Sequence, residues 1–199
     1  MKIAVDLDDV CMEFFSSVCW AIAEAFPEEN LDPIRMYEET TDWVNNPVKD
    51  LRIFGEDIYG NQSTWWDWLK ANDRLWAKFY PVHDSISGVR LLREAGHWVE
   101  AVTSKPQWAE WVVWEWQKQY QYQFNAIIIV PTGMSKLEAS SADLLIDDRT
   151  SAIQEWDEAG RYGLLYTRPW NREAPGCKTW LGFDGVVDVV EQIDEQESA

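Results

Sequence analysis

Asp6, Asp8 and Asp9 stand within four residues at the end of a short apolar run, KIAVDLDDV. Asp147 and Asp148 end another, ADLLIDD, and the hydroxyls of Thr103 and Ser104 end a third, WVEAVTS. Carboxylates crowded in this way repel one another unless a cation stands between them. An all-oxygen donor set suits Mg²⁺, which keeps several waters and bridges to a substrate phosphate. Each segment alone reads as well as a solvated turn or a helix cap. The three together, in this order, point to a site for a cation and a phosphate.

The elements that must position these groups alternate. Residues 2 to 6 read as a buried strand. From Cys11, apolar residues recur at helical spacing (Phe14, Phe15, Val18, Cys19, Ile22, Phe26) until Pro27 stops them. The stretch 84 to 96 reads as a helix capped by Asp84 or Ser85 and stopped by Gly96. Residues 98 to 104 read as a strand, 107 to 123 as a helix with Trp108, Val112, Trp116 and Tyr120 on one stripe, and 126 to 131 as a buried strand. A strand over 142 to 148, a helix over 150 to 160 and a strand over 162 to 167 follow. Strands alternating with helices predict an α/β fold with a mostly parallel sheet covered on both faces. In open parallel sheets ligands bind at the carboxyl ends of the strands, where these polar groups fall.

Residues 27 to 80 differ, mixing acids, Pro, Trp and short helical patterns with no convincing strand. They are the candidate insertion. The division that follows is a core of residues 1–15 and 80–199 with a small α-helical cap over 16–79.

Composition narrows the class. The chain has 199 residues, 46% of them hydrophobic, enough to bury the core of one α/β domain with an insertion. Its net charge of −18 argues against a nucleic-acid polymer as partner, since backbone affinity comes from Lys and Arg. A single small phosphate is still compatible. Three Cys fit a reducing compartment. Cys11 and Cys19 would lie about 12 Å apart along one helix, too far to bridge. No apolar run is long enough to span a membrane, and no signal peptide is apparent, so a soluble cytoplasmic protein is expected.

The segments DLDDV, AVTS, Lys136 and DLLIDD resemble, in order and spacing, the four motifs of the haloacid dehalogenase (HAD) superfamily of phosphotransferases. More narrowly, DLDDVCMEF, FPEE at 26 to 29, ADLLIDDR and the later YTRPWNRE resemble the 5'(3')-deoxyribonucleotidases, the last in its bacterial and phage members. The superfamily resemblance implies a Rossmann-like HAD fold and a role for each residue. Asp6 would be the nucleophile that becomes an aspartyl-phosphate, and Asp8 the general acid/base. Thr103 and the backbone at Ser104 would hold the phosphoryl oxygens. Lys136 would neutralise charge on Asp6 and on the transferring group. Mg²⁺ would sit on Asp6, the Asp8 carbonyl and one of Asp147 or Asp148. Alternation along a strand favours one direct ligand of that pair, taken as Asp148, with Asp147 behind it or on a water. The nucleotidases usually carry Gly where this chain has Asp9. Asp tolerates unusual turn angles.

Lys136 is chosen over Lys105 because it stands eleven residues before Asp147, whereas Lys105 reads as a surface residue. His83 and His97 join no metal-like cluster and read as structural. Phe14 occupies the position that contacts the base in the resembled nucleotidases. Trp65, Trp66, Trp68 and Trp76 could supply a stacking partner, although each alone reads more readily as cap core. The Trp residues of 107 to 123 read as packing or as the contact of a homodimer.

The expected function is a Mg²⁺-dependent phosphoric monoester hydrolase of nucleoside monophosphates, of the 5'-nucleotidase type and with deoxyribonucleotides favoured. The alternatives are a HAD phosphatase of another small ester, such as a sugar phosphate, and a non-catalytic phosphate- or metal-binding protein. The complete acid, hydroxyl and Lys set weighs against the last.

Overall fold

The structure, a computed structural model, describes residues 1–41, 48, 51–56, 63–131, 133–174, 177–180 and 182–197. Parts of the expected cap, 42–47, 49–50 and 57–62, lie outside them.

Among the described residues six strands form one sheet: β1 (Lys2–Val5), β2 (Trp98–Lys105), β3 (Ala126–Pro131), β4 (Leu144–Asp147), β5 (Tyr162–Tyr166) and β6 (Thr179–Trp180). Their order is β3-β2-β1-β4-β5-β6, and every adjacent pair is parallel. The chain is therefore an α/β fold with a six-stranded parallel sheet between helices, as the alternating pattern predicts. β1 is central, so its C-terminal end is flanked by those of β2 and β4, the two strands that carry the other polar termini.

The helices are α1 (Phe14–Ala25), α2 (Pro33–Glu38), α3 (Trp65–Ala71), α4 (Ser85–Glu94), α5 (Glu110–Tyr120), α6 (Lys136–Ala139), α7 (Thr150–Glu158) and α8 (Val186–Glu197). Short 3-10 turns over 27–29, 52–54 and 73–78 join α2 and α3 between α1 and α4. Residues alternate between the two faces of the sheet. Ile3, Val5, Val99, Ala101, Leu144 and Ile146 pack into one large apolar cluster with α1, Trp65, Leu69, Trp76 and Phe79. Ala4, Val102 and Leu145 face the opposite cluster with Ile153 and Trp156 of α7.

Two details differ from the periodicity. α1 begins at Phe14 rather than Cys11, because residues 6–13 form a tight turn in which Cys11 and Met12 donate to the Leu7 carbonyl at 2.9 and 2.7 Å. Asp84 precedes α4 at φ 59 without capping it, its carboxylate being paired with His83 Nδ1 at 2.6 Å. The two-residue β6 and the acidic α8 have no counterpart in the sequence reading. β6 is too short to show a period.

Among the described residues no helix is long and apolar enough to cross a membrane.

Candidate active site

β1 ends at Val5, and the Asp6 N–H continues the ladder by donating to the Ile146 carbonyl at 2.9 Å. This bond holds the first residue of the acidic turn against the end of β4. Asp9 then adopts φ 57, the left-handed region in which Asp is among the better-tolerated non-Gly residues. From there its Oδ1 accepts the Phe15 N–H at 3.0 Å and satisfies an otherwise orphaned donor in the first turn of α1. The third acid of the opening run thus shapes the turn. Its burial pushes the carboxyl up to about 8, against the opposing pull of Arg168.

Asp6, Asp147 and Asp148 each offer an oxygen within 4.8 Å of the others, and all three are buried. β4 ends at Asp147, so Asp148 is free of the strand's alternation, and both acids join the cluster. Lys136 enters from the first turn of α6, with its Nζ 2.8 Å from Asp6 Oδ1 and 2.6 Å from Asp147 Oδ2. Asp147 Oδ1 also accepts the Arg149 N–H at 2.8 Å. Burial opposes the charge on Lys136, yet Asp147 and Asp6 hold its pKa well above the ordinary value. Burial, then Asp147, Asp9 and Asp6, push the Asp148 carboxyl well above the usual range. One ammonium thus faces three clustered carboxylates. A hard divalent cation with oxygen ligands fits this set, because it would remove the repulsion that raises Asp148.

Thr103 is fully buried near the end of β2, and its Oγ1 has no hydrogen-bond partner among the described residues. Ser104, Asp6, Asp8, Lys136, Asp148 and Arg149 line a pocket of about 260 Å³ together with Phe14, Trp66 and Trp76. The three polar strand ends therefore meet at one crevice. Of the four Trp residues expected as stacking partners, Trp66 and Trp76 line it. Trp65 instead packs edge-on to Phe15 at 5.7 Å, and Trp68 lies against Phe26 and Phe54 at 6.2 and 6.3 Å. Trp108, ahead of α5, backs the wall at 5.7 Å from both Trp66 and Trp76.

Lys105 requires a correction. The expectation of a surface lysine fails: its side chain is 0% exposed, and its Nζ is ion-paired with Asp8 Oδ2. It also sits 4.4 Å from the Trp76 ring centroid. Lys105 belongs to the odd-numbered register of β2, with Val99 and Ala101, which faces the large aromatic cluster rather than solvent. The tendency of Lys to lie at the surface gives way to a specific partner, Asp8, 97 residues away.

Residues 168–171 hold the site from behind. Arg168 Nε donates to the Asp9 carbonyl at 2.6 Å, and its Nη1 reaches Glu13 at 3.0 Å and the Tyr37 hydroxyl at 3.1 Å. Trp170 donates to Asp148 Oδ2 at 2.9 Å, and Asn171 to the Asp148 carbonyl at 2.7 Å. The sequence signal for them was the YTRPWNRE segment, which by itself named no partner. Arg149 was likewise unassigned, although it directly follows the acid pair.

No protein-family model and no curated protein matches the chain by sequence. Solved structures do match it by fold. A protein assigned as a HAD-hydrolase, YfnB of Bacillus subtilis bound to magnesium, superposes with a TM-score of 0.64 at 14% identity, covering 95% of this chain and 97% of that one. A protein assigned as a phosphoglycolate phosphatase, from Lactobacillus delbrueckii subsp. bulgaricus, gives 0.63 at 12% identity over 95% and 97%. A HAD family hydrolase from Deinococcus radiodurans R1, with bound phosphate and sodium, gives 0.61 at 10% identity over 97% and 96%. At such identities the likeness establishes the fold, which is that of the HAD hydrolases.

Proposed function

We propose that the protein is a Mg²⁺-dependent phosphatase of nucleoside monophosphates, with deoxyribonucleotides as the favoured substrates. One observation carries the reading. Asp6, Asp8, Lys136 and Asp148 share a single pocket with Phe14, Trp66 and Trp76. The first set suits a phosphate and a cation, and the second offers apolar faces to a base. The magnesium-bound and phosphate-bound fold neighbours support the phosphate side of it.

In this reading an Asp6 carboxylate oxygen bonds to phosphorus as the ester P–O bond breaks. The electron pair passes to the leaving oxygen, which takes a proton from Asp8. Asp8 then accepts a proton from the attacking water, whose oxygen bonds to phosphorus. The pair from the second broken P–O bond returns to Asp6. A carboxylate nucleophile splits one difficult displacement into two easier ones. Lys136 lies 2.8 Å from Asp6 and balances charge beside the transferring group. Thr103 and Ser104 supply hydrogen bonds to the non-bridging oxygens, which would give the buried Thr103 hydroxyl a partner. Mg²⁺ would be held by Asp6, the Asp8 carbonyl and the acid pair, where it would supply positive charge to the phosphoryl oxygens.

The test is a panel of deoxyribonucleoside, ribonucleoside and sugar monophosphates assayed with and without Mg²⁺. The expected result is Mg²⁺-dependent release of phosphate with the highest kcat/KM among the deoxyribonucleotides. Sugar phosphates turning over a hundredfold faster than any nucleotide would overturn the substrate assignment, and no turnover of any ester would overturn the enzyme reading.

A further inference from the structure

Lys105 is a fully buried cation that the phosphoryl-transfer chemistry above leaves without a task. The two lysines of the site take different acids. Lys136 pairs with Asp6 and Asp147 on one side, and Lys105 pairs with Asp8 on the other. A buried Lys whose only need was charge balance would have found more negative charge in the Asp6–Asp147–Asp148 cluster. The register of β2 instead sends Lys105 under the aromatic wall, with Nζ 4.4 Å from the Trp76 centroid and 5.8 Å from that of Phe14. There its ammonium lies over apolar rings, and Asp8 Oδ2 is its carboxylate partner among the described residues. The remaining oxygen, Asp8 Oδ1, is buried without a hydrogen-bond partner among the described residues, and Asp8 lines the substrate pocket. One oxygen is tethered and the other is left unengaged, which is what a proton-transferring carboxyl requires.

We propose that Lys105 is a positioning residue for phosphoryl transfer: it holds one oxygen of Asp8 against the aromatic wall so that the other meets the leaving group. The inference rests on the phosphatase reading of the same site. Asp8 sits on a turn, where its side chain would otherwise sample several rotamers. A proton donor works only within hydrogen-bond reach of the oxygen it protonates. A misplacement of about 1 Å can reduce the rate on the order of 100-fold. Because Nζ also contacts Trp76, the wall that receives the substrate and the carboxyl that protonates it are held by one side chain.

A leaving-group comparison tests this. When the P–O bond of a nucleoside monophosphate breaks, the electron pair goes to an alkoxide that needs the Asp8 proton. In p-nitrophenyl phosphate the pair remains on a stable phenolate and no proton is required. Lys105→Met keeps most of the apolar stem and removes the ammonium. In single-turnover experiments the variant should transfer phosphoryl from a nucleoside monophosphate about 100-fold more slowly than the parent, with p-nitrophenyl phosphate slowed far less. Because Asp8 must also activate water, p-nitrophenyl phosphate should then show a burst of phenolate followed by a slower steady state. Equal losses on both substrates, or no loss on either, would overturn the proposal. If Lys105→Met fails to fold, the same comparison is made with Asp8→Asn and Asp8→Asn/Lys105→Met, which leave no carboxylate buried without its cation. The added Lys substitution should cost nothing further on the nucleotide, and an additional slowing would overturn the proposal. Failure of the phosphatase reading would look different, since the unmodified protein would turn over neither ester.

Discussion

The indole N–H of Trp170 donates to Asp148 Oδ2 at 2.9 Å, joining the segment after β5 to the carboxylate pair at the end of β4. Asn171 reinforces the link through the Asp148 backbone carbonyl and also donates to the Tyr166 carbonyl at 2.8 Å. A carboxylate that contributes to a cation site is oriented by its hydrogen-bond partners as much as by its own rotamer. Trp170 is therefore expected to fix which oxygen of Asp148 remains for a cation.

Trp170→Phe removes that donor and keeps most of the ring that packs edge-on to Phe15 at 6.3 Å and to Tyr37 at 6.0 Å. Binding of Mn²⁺ or Mg²⁺, followed by calorimetry in the absence of substrate, should weaken by about 10- to 100-fold. The melting temperature should change little, because the aromatic packing survives. Unchanged cation affinity would show that Asp148 is oriented without Trp170.

Asp6→Asn separates chemistry from stability. The amide cannot attack phosphorus, so turnover should fall on the order of 10⁴-fold or more. Burial raises the pKa of Asp8, Asp147 and Asp148, and charge repulsion from Asp6 adds to it, while Lys136 retains Asp147 as its partner. Thermal unfolding without added cation should therefore occur at the same temperature as in the parent or slightly higher. A variant that kept its activity would remove Asp6 from the nucleophile role.

Much of this site was legible in the sequence because each acidic or hydroxyl pair ended an apolar run, and adjacent parallel strands bring such ends together. The run into Asp6 and the run into Asp147 became neighbours as β1 and β4, with Ile3, Ala4 and Val5 beside Leu144, Leu145 and Ile146. Partners distant along the chain were not legible. Lys105 and Asp8 are 97 residues apart, and Trp170 and Asp148 are 22 apart. No local period records either pair. Nor could spacing decide between Trp65 and Trp66: as neighbours on one helix they point in different directions, one toward Phe15 and the other into the pocket.

A divalent cation should stabilise the protein as well as activate it. Asp147 and Asp148 are buried with raised pKa values, burial being the leading cause in each, and Lys136 alone does not neutralise the cluster. A ligand that binds only the folded state at 100 times its Kd contributes about 2.7 kcal/mol. Melting in Mg²⁺ should accordingly occur several degrees above melting in chelator, and Asp148→Asn should shrink that difference. A melting temperature independent of Mg²⁺ would argue that no cation binds this cluster in the free protein.

Gly163 allows α7, which begins two residues after Asp148, to lie directly on β5. A Cβ there would come within 2.5 Å of Ile153 Cγ2 and 3.0 Å of the Ile153 carbonyl oxygen. The backbone oxygen cannot rotate away, so Gly163→Ala must push helix from strand. The expected loss is about 1–3 kcal/mol in urea unfolding. A neutral result would mean that α7 shifts without cost.

The aromatic wall offers the most direct probe of substrate choice, and Trp66 is the residue with which to probe it. Trp76 is buried beneath the pocket and packs on Phe14 at 4.7 Å, so truncating it would damage the core along with the site. Trp66 is only partly buried and stands at the outer side of the same wall, 5.8 Å from Trp76. Trp66→Ala should therefore leave the protein folded and remove contact with the base. Loss of one stacking face is worth about 1–3 kcal/mol, and it should appear as a higher KM for nucleoside monophosphates with a smaller change in kcat. Inhibition by inorganic phosphate supplies the control, because in the proposed reading phosphate would engage Lys136 and the Thr103–Ser104 end of β2 but has no base to stack. If KM for nucleotides and inhibition by phosphate weakened together, Trp66 would be shaping the phosphate end of the pocket. If neither changed, the base would lie elsewhere and the nucleotide assignment would lose its main support.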